Sequence, residues 1–203
     1  MKISGVILAA GKGTRMKSSL PKVLQPVLGK AMISYAQSSL KNLDNKYVIL
    51  GHESETVSDH IFEGYKIVEQ KEQLGTGHAV VTLLGSDEFK SDNCDYLIII
   101  PGDVPLIDKS EIDKLIDAVT KNNSMLGLIT AEVQNPSGYG RIVRNKEHAK
   151  KIVEEADASE EEKSINEINS GIYCVNKDFL ISNINTIKSD NAQNEFYLTD
   201  LIE

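Results

Sequence analysis

The sequence predicts an α/β protein built on a mostly parallel sheet with helices covering both faces. Three observations predict it. Short, continuously apolar segments ended by glycine or proline recur along the first two thirds of the chain, as strands buried on both faces require. Segments of helical length stand between them in alternation. The 203 residues, 40% of them hydrophobic, suffice for one domain with a substantial core.

Taken in order, ISGVILA (3–9) reads as a buried strand ended by glycine. AMISYAQSSLKN (31–42) reads as a helix, KYVILG (46–51) as a strand, ETVSDHIF (55–62) as a short helix and YKIVEQ (65–70) as a third strand. GTGHAVVTLLGS (75–86) is a glycine-rich turn feeding a helix. DYLIIIPGD (95–103) is the strongest strand signal, stopped by Pro101 and Gly102. SEIDKLIDAVTKN (110–122) is a helix with Ser110 as its expected N-cap, and MLGLITAEV (125–133) is a strand. After about residue 134 the rhythm changes: GRIVR (140–144), KKIVEE (150–155) and GIYCV (171–175) are strand-like without long helices between them. They predict a substrate-facing extension of the same sheet. The end, NEFYLTDLIE, reads as an unfinished helix.

Composition narrows the function classes. No run of about 18 apolar residues exists, so a membrane span is not expected. Met1-Lys2 leads straight into a strand, without a secretory segment. Cys94 and Cys174 stand in no metal-binding spacing and are expected to be reduced thiols of a cytoplasmic protein. A net charge of −8 argues against general nucleic-acid affinity. The distribution says more. Met1 to Leu43 holds no Asp or Glu but contains Lys2, Lys12, Arg15, Lys17, Lys22, Lys30 and Lys41. Acid gathers later, in EEADASEEEKS (154–164). Such asymmetry fits either a solvated surface or a local anion site.

The stretch ILAAGKGTRM (7–16) favours the second reading. It is not a dinucleotide fingerprint, because Met16 stands where the third glycine of G-x-G-x-x-G belongs. Nor is it a P-loop: neither Gly11-Lys12 nor Gly29-Lys30 has the upstream glycine or the following hydroxyl. What remains is coherent with a nucleotide. Gly11 and Gly13 bring bare N–H groups close to phosphate oxygens. Leu8, Ala9 and Ala10 leave a flat apolar edge for a base. Arg15 can hold a phosphate bidentately, and Lys22, after Pro21, adds a compact second charge. A tight turn with ordinary surface cations accounts for the same letters.

The loop does not stand alone. LAAGKGTRM is followed by PKVL (21–24), QLGTGHAV (73–80), GDVPL (102–106), GYGRIV (138–143), IVEE (152–155), EINSGIY (167–173) and NAQNEFYLTD (191–200). In this order the strings resemble the uridylyltransferase domain of the bacterial bifunctional enzyme that makes UDP-N-acetylglucosamine. The resemblance runs from Ile3 to the last residues, and QLGTGHA and EINSGIY are its most specific parts. It implies a Rossmann-like nucleotidyltransferase fold and transfer of a uridylyl group from UTP to N-acetylglucosamine 1-phosphate, with Mg²⁺ as cofactor and pyrophosphate as product. It implies that Leu8, Ala9, Ala10, Gly11 and Gly13 hold the nucleotide, with Gln70, Gly75 and Thr76 around the uracil. Arg15 and Lys22 serve the triphosphate as catalytic groups. Asp103 binds the metal, and Gly102, Gly140, Glu154 and Asn169 line the sugar pocket.

Independent readings of these residues remain open. Asp103 stands where open α/β sheets place ligands, but is also an ordinary turn residue. Thr76 is either a base contact or a helix N-cap. Glu154 sits in an acidic run that is otherwise a solvated face. His78 is expected to pack. The family's pattern departs here at Pro101, where tyrosine is frequent, at Ser170, and at Asn194, where glycine is usual. Family members continue beyond this length with an asparagine metal ligand and a trimerising β-helix acetyltransferase domain. The expectation is therefore an incomplete transferase domain spanning 1–203, without the β-helix domain, as a monomer or weak oligomer acting on small molecules. The alternatives are a nucleotide-binding fragment with little turnover and a transferase for another sugar 1-phosphate.

Overall fold

The computed structural model describes residues 1–202 except Lys12, Thr14, Arg15, Lys17, His52 and Glu53. The chain forms β1 (Ile3–Ala9), a small hairpin of β2 (Pro26–Val27) and β3 (Lys30–Ala31), α1 (Met32–Leu40), β4 (Asn45–Leu50), α2 (Ser54–Ser58) and β5 (Tyr65–Glu69). Then come α3 (Thr76–Gly85), α4 (Asp87–Lys90), β6 (Tyr96–Pro101), α5 (Lys109–Lys121) and β7 (Leu126–Glu132). The last part is β8 (Arg141–Asn145), β9 (His148–Val153), α6 (Glu160–Lys163), β10 (Glu167–Asn176) and α7 (Lys177–Asn183).

Among the described residues eight strands form one sheet in the order β5-β4-β1-β6-β10-β8-β9, with β7 also on β10. The first four are parallel to one another. β10 runs antiparallel to β6, β7 and β8, so β7 and β8 point the same way as the parallel core. The expected extension after residue 134 joins this sheet. Strand period sorts the apolar residues onto two faces. Val6, Ile49, Ile99, Tyr173 and Val175 pack with α3 residues Ala79, Val80 and Leu83 on one side. Ile7, Val48, Leu50, Ile98, Ile100 and Cys174 pack with α1 and α5 on the other. That two-sided burial is why these strands read as unbroken apolar runs.

Three expectations are corrected. Ser110 is not the N-cap of α5. Asp108 is: its Oδ1 accepts from the backbone N–H of Ser110 at 2.8 Å and of Glu111 at 3.2 Å, and the helix starts at Lys109. The helix expected over 55–62 stops at Ser58, because the Phe62 N–H turns to the Gln37 side chain at 2.6 Å. The C-terminal segment is not a regular helix. Phe196 N donates to Leu74 O at 2.7 Å and Phe196 O accepts from Gly77 N at 2.7 Å. The backbone is thus spent on the loop before α3, and only a 3-10 stretch, Leu198–Ile202, follows.

The topology sets the site. From β1 the chain builds outward through β4 and β5 on one side, then returns to place β6 on the other. Ligands of open α/β sheets bind outside the carboxyl ends of strands at such a reversal. A second opening lies beside it. On one edge β10 pairs first with β8, at Ile168–Arg141, and later with β6, from Tyr173–Ile99 onward. Over the same stretch of β10 the ladder to β7 slips register, between Asn169 and Ile172. The slip leaves Asn169 and Gly171 facing the space beyond the end of β6.

Candidate active site

These two openings form one cleft of about 780 Å³. One wall carries Leu8, Ala9, Ala10, Gly11 and Gly13 from the end of β1 and the loop after it, with Lys22 and Asp103 beside them. Gln70, Gly75 and Thr76 form the end near α3, and Glu154, Asn169 and Tyr173 stand opposite.

The first wall is built by close backbone approach. Gly13 adopts φ +57°, and a β-carbon there would stand 2.7 Å from that of Lys22. Any side chain at 13 would push away the segment carrying the lysine. Lys22 opens a 3-10 turn whose next residues, Val23 and Leu24, are buried and anchor it. Its ammonium forms an ion pair with Asp103 Oδ2. Among the described residues no atom lies within 4 Å of a β-carbon built at Gly11. Arg15, and the Lys12 beside this loop, lie outside the described residues.

Asp103 lies two residues past the end of β6. Its Oδ1 has no hydrogen-bond partner among the described residues. Gly102 before it is placed differently from expectation. Its N–H donates to Leu8 O at 2.8 Å and its α-carbon packs on Ala9 and Val23, so it ties β6 to β1 below the cleft wall.

At the α3 end, Gln70 is 2% exposed. Its Nε2 donates to Gly75 O at 3.3 Å and lies 2.9 Å from His78 Nδ1. Nε2 can only donate, so His78 Nδ1 accepts and the Gln70 carbonyl end stays unpartnered among the described residues. Sequence reasoning assigned His78 to packing and missed this orienting role; a lone histidine carries no signal for it. Thr76 is not the N-cap, which is Gly75. Its hydroxyl accepts from Leu198 N at 3.0 Å, and Gly77 N–H is taken by Phe196 O. The Thr76 hydroxyl and the Gly77 N–H at this helix start are therefore spent on the C-terminal segment.

On the opposite wall Glu154 and Asn169 meet around Gly140. The Glu154 carboxylate oxygens lie 3.3 Å from where a Gly140 β-carbon would stand, and Gly140 O accepts from Asn169 N at 2.9 Å. Gly140 itself is buried behind the two side chains. Burial pushes the Glu154 carboxyl up from its ordinary range; a bond from Thr199 at 3.4 Å opposes this, and Asp157, Asp200 and Glu195 add to it. Below it lies a pair not anticipated from sequence. Arg141, 1% exposed, donates to Glu155 Oε2 at 2.6 Å and to the Tyr139 carbonyl. Gly138 N–H joins the same carboxylate at 3.0 Å, and with Arg141 holds Glu155 below the usual carboxylate range. The clamp fixes the strand end that carries Glu154. Its signal was the cation inside GYGRIV, read only as a strand residue.

The chain matches the MobA-like NTP transferase domain over residues 5–165. It belongs to that family. Among curated relatives this NTP transferase domain is 45% identical over its whole length to Bifunctional protein GlmU of Hydrogenovibrio crunogenus, covering 44% of that protein. It is 43% identical to Bifunctional protein GlmU of Desulfotalea psychrophila, with 98% of this chain and 59% of that one aligned. The chain thus spans roughly half the length of the relatives it matches. Among solved structures, UDP-glucose pyrophosphorylase complexed with UDP-glucose superposes with a TM-score of 0.77 at 20% identity, over 99% of this chain and 85% of that one. The inositol-1-phosphate CTP transferase from T. maritima gives 0.73 at 15% identity, over 98% and 78%. These likenesses show the fold: a nucleotidyltransferase α/β architecture.

Proposed function

We propose that this NTP transferase domain moves the uridylyl group of UTP onto N-acetylglucosamine 1-phosphate, releasing pyrophosphate. The observation that carries the reading is the facing of two unlike half-sites across one cleft: a glycine loop with Lys22 and Asp103, and a carboxylate–amide pair, Glu154 and Asn169. The first suits a triphosphate, the second a sugar. The GlmU relatives at 43–45% identity support the choice among nucleotidyltransferases.

Chemically, an oxygen of the sugar phosphate attacks the α-phosphorus of UTP, and the bond from that phosphorus to the bridging oxygen of the pyrophosphate breaks. The nucleophile is already anionic, so no general base is needed. The site must bring two anions together and steady the charge growing on the leaving group. Lys22, the loop N–H groups and Arg15 serve that end. The flat Leu8–Ala10 edge takes the base, and the unpartnered Gln70 carbonyl oxygen suits the N–H that a uracil ring offers. Glu154 accepts from sugar hydroxyls, and Asn169 both donates and accepts.

The donor set fits Mg²⁺. Among the described residues no three His, Cys, Asp or Glu side chains form a ready-made cage. Mg²⁺ does not need one: it takes one or two carboxylates and completes its shell with phosphate and water. Asp103 would hold it through the oxygen that Lys22 leaves open. When bound, the ion supplies charge neutralisation between the phosphates. Among the described residues no helix is long and apolar enough to cross a membrane. We read the protein as a cytoplasmic enzyme of cell-wall precursor synthesis.

Pyrophosphate release tests the reading. UTP, Mg²⁺ and N-acetylglucosamine 1-phosphate together should release it, and an Asp103→Ala variant should not. A preference for CTP or glucose 1-phosphate in a substrate panel would overturn the substrate assignment. Retained UTP binding without release would leave only a nucleotide-binding role.

A further inference from the structure

The sugar-facing wall contains a tyrosine that the reading above does not use. Tyr173 lines the cleft yet is only 5% exposed. Its hydroxyl lies 2.7 Å from Asn169 Nδ2. The other end of the same amide faces the backbone N–H of Gly171 at 2.9 Å. These two contacts decide the chemistry. A backbone N–H can only donate, so the amide oxygen must face Gly171 and the amide NH₂ must face Tyr173. The phenol oxygen is therefore the acceptor. Burial pushes the Tyr173 pKa well above its ordinary value, so the phenol stays neutral through the working range.

The backbone makes this arrangement rigid. Gly171 holds φ +77°, and its α-carbon is pressed against Pro101, whose Cγ lies 2.9 Å from a β-carbon built there. Asn169 N is bound to Gly140 O at 2.9 Å. Tyr173 itself is held in the ladder between Ile99 and Leu128. Asn169 is thus gripped at its backbone and at both ends of its amide. One amide proton and one lone pair of the oxygen remain for a ligand.

We propose that Tyr173 is a positioning residue for the sugar 1-phosphate: the Gly171 N–H sets which way the Asn169 amide faces, and the Tyr173 hydroxyl holds its NH₂ end in place, presenting a defined donor and acceptor beside Glu154. The proposal rests on the transferase reading and deepens it. Without the hydroxyl the NH₂ end has no fixed partner, and the amide is held only through its oxygen on the Gly171 N–H, so it swings more widely before it meets the sugar. Affinity for the sugar then falls while the nucleotide half-site, on the other wall, is untouched.

Tyr173→Phe keeps the ring and its packing and removes only the hydroxyl. Loss of one neutral hydrogen bond predicts a KM for N-acetylglucosamine 1-phosphate raised about three- to tenfold. The KM for UTP should stay unchanged. In ¹⁵N-labelled protein the side-chain amide protons of Asn169 should exchange with water about tenfold faster in the variant, as one fewer hydrogen bond protects them. An unchanged sugar KM, a parallel rise in both KM values, or equal amide exchange would overturn the proposal. An unmodified chain that releases no pyrophosphate with any sugar 1-phosphate would sink the transferase reading instead, and the amide exchange would still decide for or against the Tyr173 lock.

Discussion

Lys22 and Asp103 form an ion pair at the mouth of the cleft, joining the segment after the glycine loop to the turn after β6. Each was expected to serve the nucleotide, one on phosphate and one on metal. The structure shows them serving each other. Their side chains are 42% and 25% exposed, and a pair this open to solvent is worth about 1 kcal/mol or less. A triphosphate with its metal can therefore exchange the pair for two new contacts at small cost. We read it as the resting arrangement of a site that holds its two charges ready.

Lys22 and Lys30 separate a working cation from a surface one. Lys30 sits in the small β2–β3 hairpin, away from the cleft lining. Lys22→Ala should lower kcat by about 10²–10³, by analogy with the loss of one preorganised donor to a developing charge. Lys30→Ala should leave it within about twofold, as expected of an exposed residue away from such features. Steady-state kinetics of the two variants check this; equal effects would reduce the basic segment to surface charge.

His78 should act on the nucleotide through Gln70. His78→Ala removes the acceptor of the Gln70 amide and should raise the KM for UTP about three- to tenfold, the cost of one hydrogen bond. The sugar KM should not move. A change in both, or in neither, would return His78 to plain packing.

Glu154 ties affinity and stability to pH with a definite sign. Burial raises its folded pKa above the unfolded value, so between the two the folded state binds more protons. Stability from this group is greatest below its ordinary pKa and is lost as pH rises through the raised one. Glu154→Gln removes the buried charge and should flatten that fall in thermal-unfolding profiles against pH. In the unmodified protein the sugar KM should rise as pH drops through the same window, because the protonated carboxyl accepts less well from hydroxyls.

Asp108 gives a prediction about stability alone. As the N-cap of α5 it is held below the usual carboxylate range chiefly by the Ser110 hydroxyl and the first N–H groups of the helix. Asp108→Ala should lower the midpoint of denaturant unfolding, because the first turn of α5 loses its cap. Ser110→Ala should lower it less, and neither should change KM.

Much of this molecule was legible in its letters. The buried strands announced themselves because β1, β4 and β6 are covered on both faces and so run apolar without alternation. The family resemblance implied roles for the glycine loop, Gln70, Glu154 and Asn169, and one cleft brings these residues together. What was not legible depended on long-range partners. The last segment reads as helix because its residues suit one, but its N–H and C=O groups are claimed by Leu74, Thr76 and Gly77. Ser110 and Asp108 are both good caps in isolation; only geometry chooses. His78 and Arg141 gain their roles from Gln70 and Glu155, which no local pattern places beside them. Asn194, standing where the family usually has glycine, proves compatible with the turn: it adopts φ +53°, a conformation asparagine tolerates better than most residues.

The most direct measurement is a crystal structure with UTP and Mg²⁺ soaked in. The account predicts uracil against Gln70 and the Leu8–Ala10 edge, Lys22 drawn off Asp103 onto a phosphate, and Asp103 on the metal. Nucleotide bound elsewhere, or an intact Lys22–Asp103 pair with the cleft empty at saturating UTP, would contradict it.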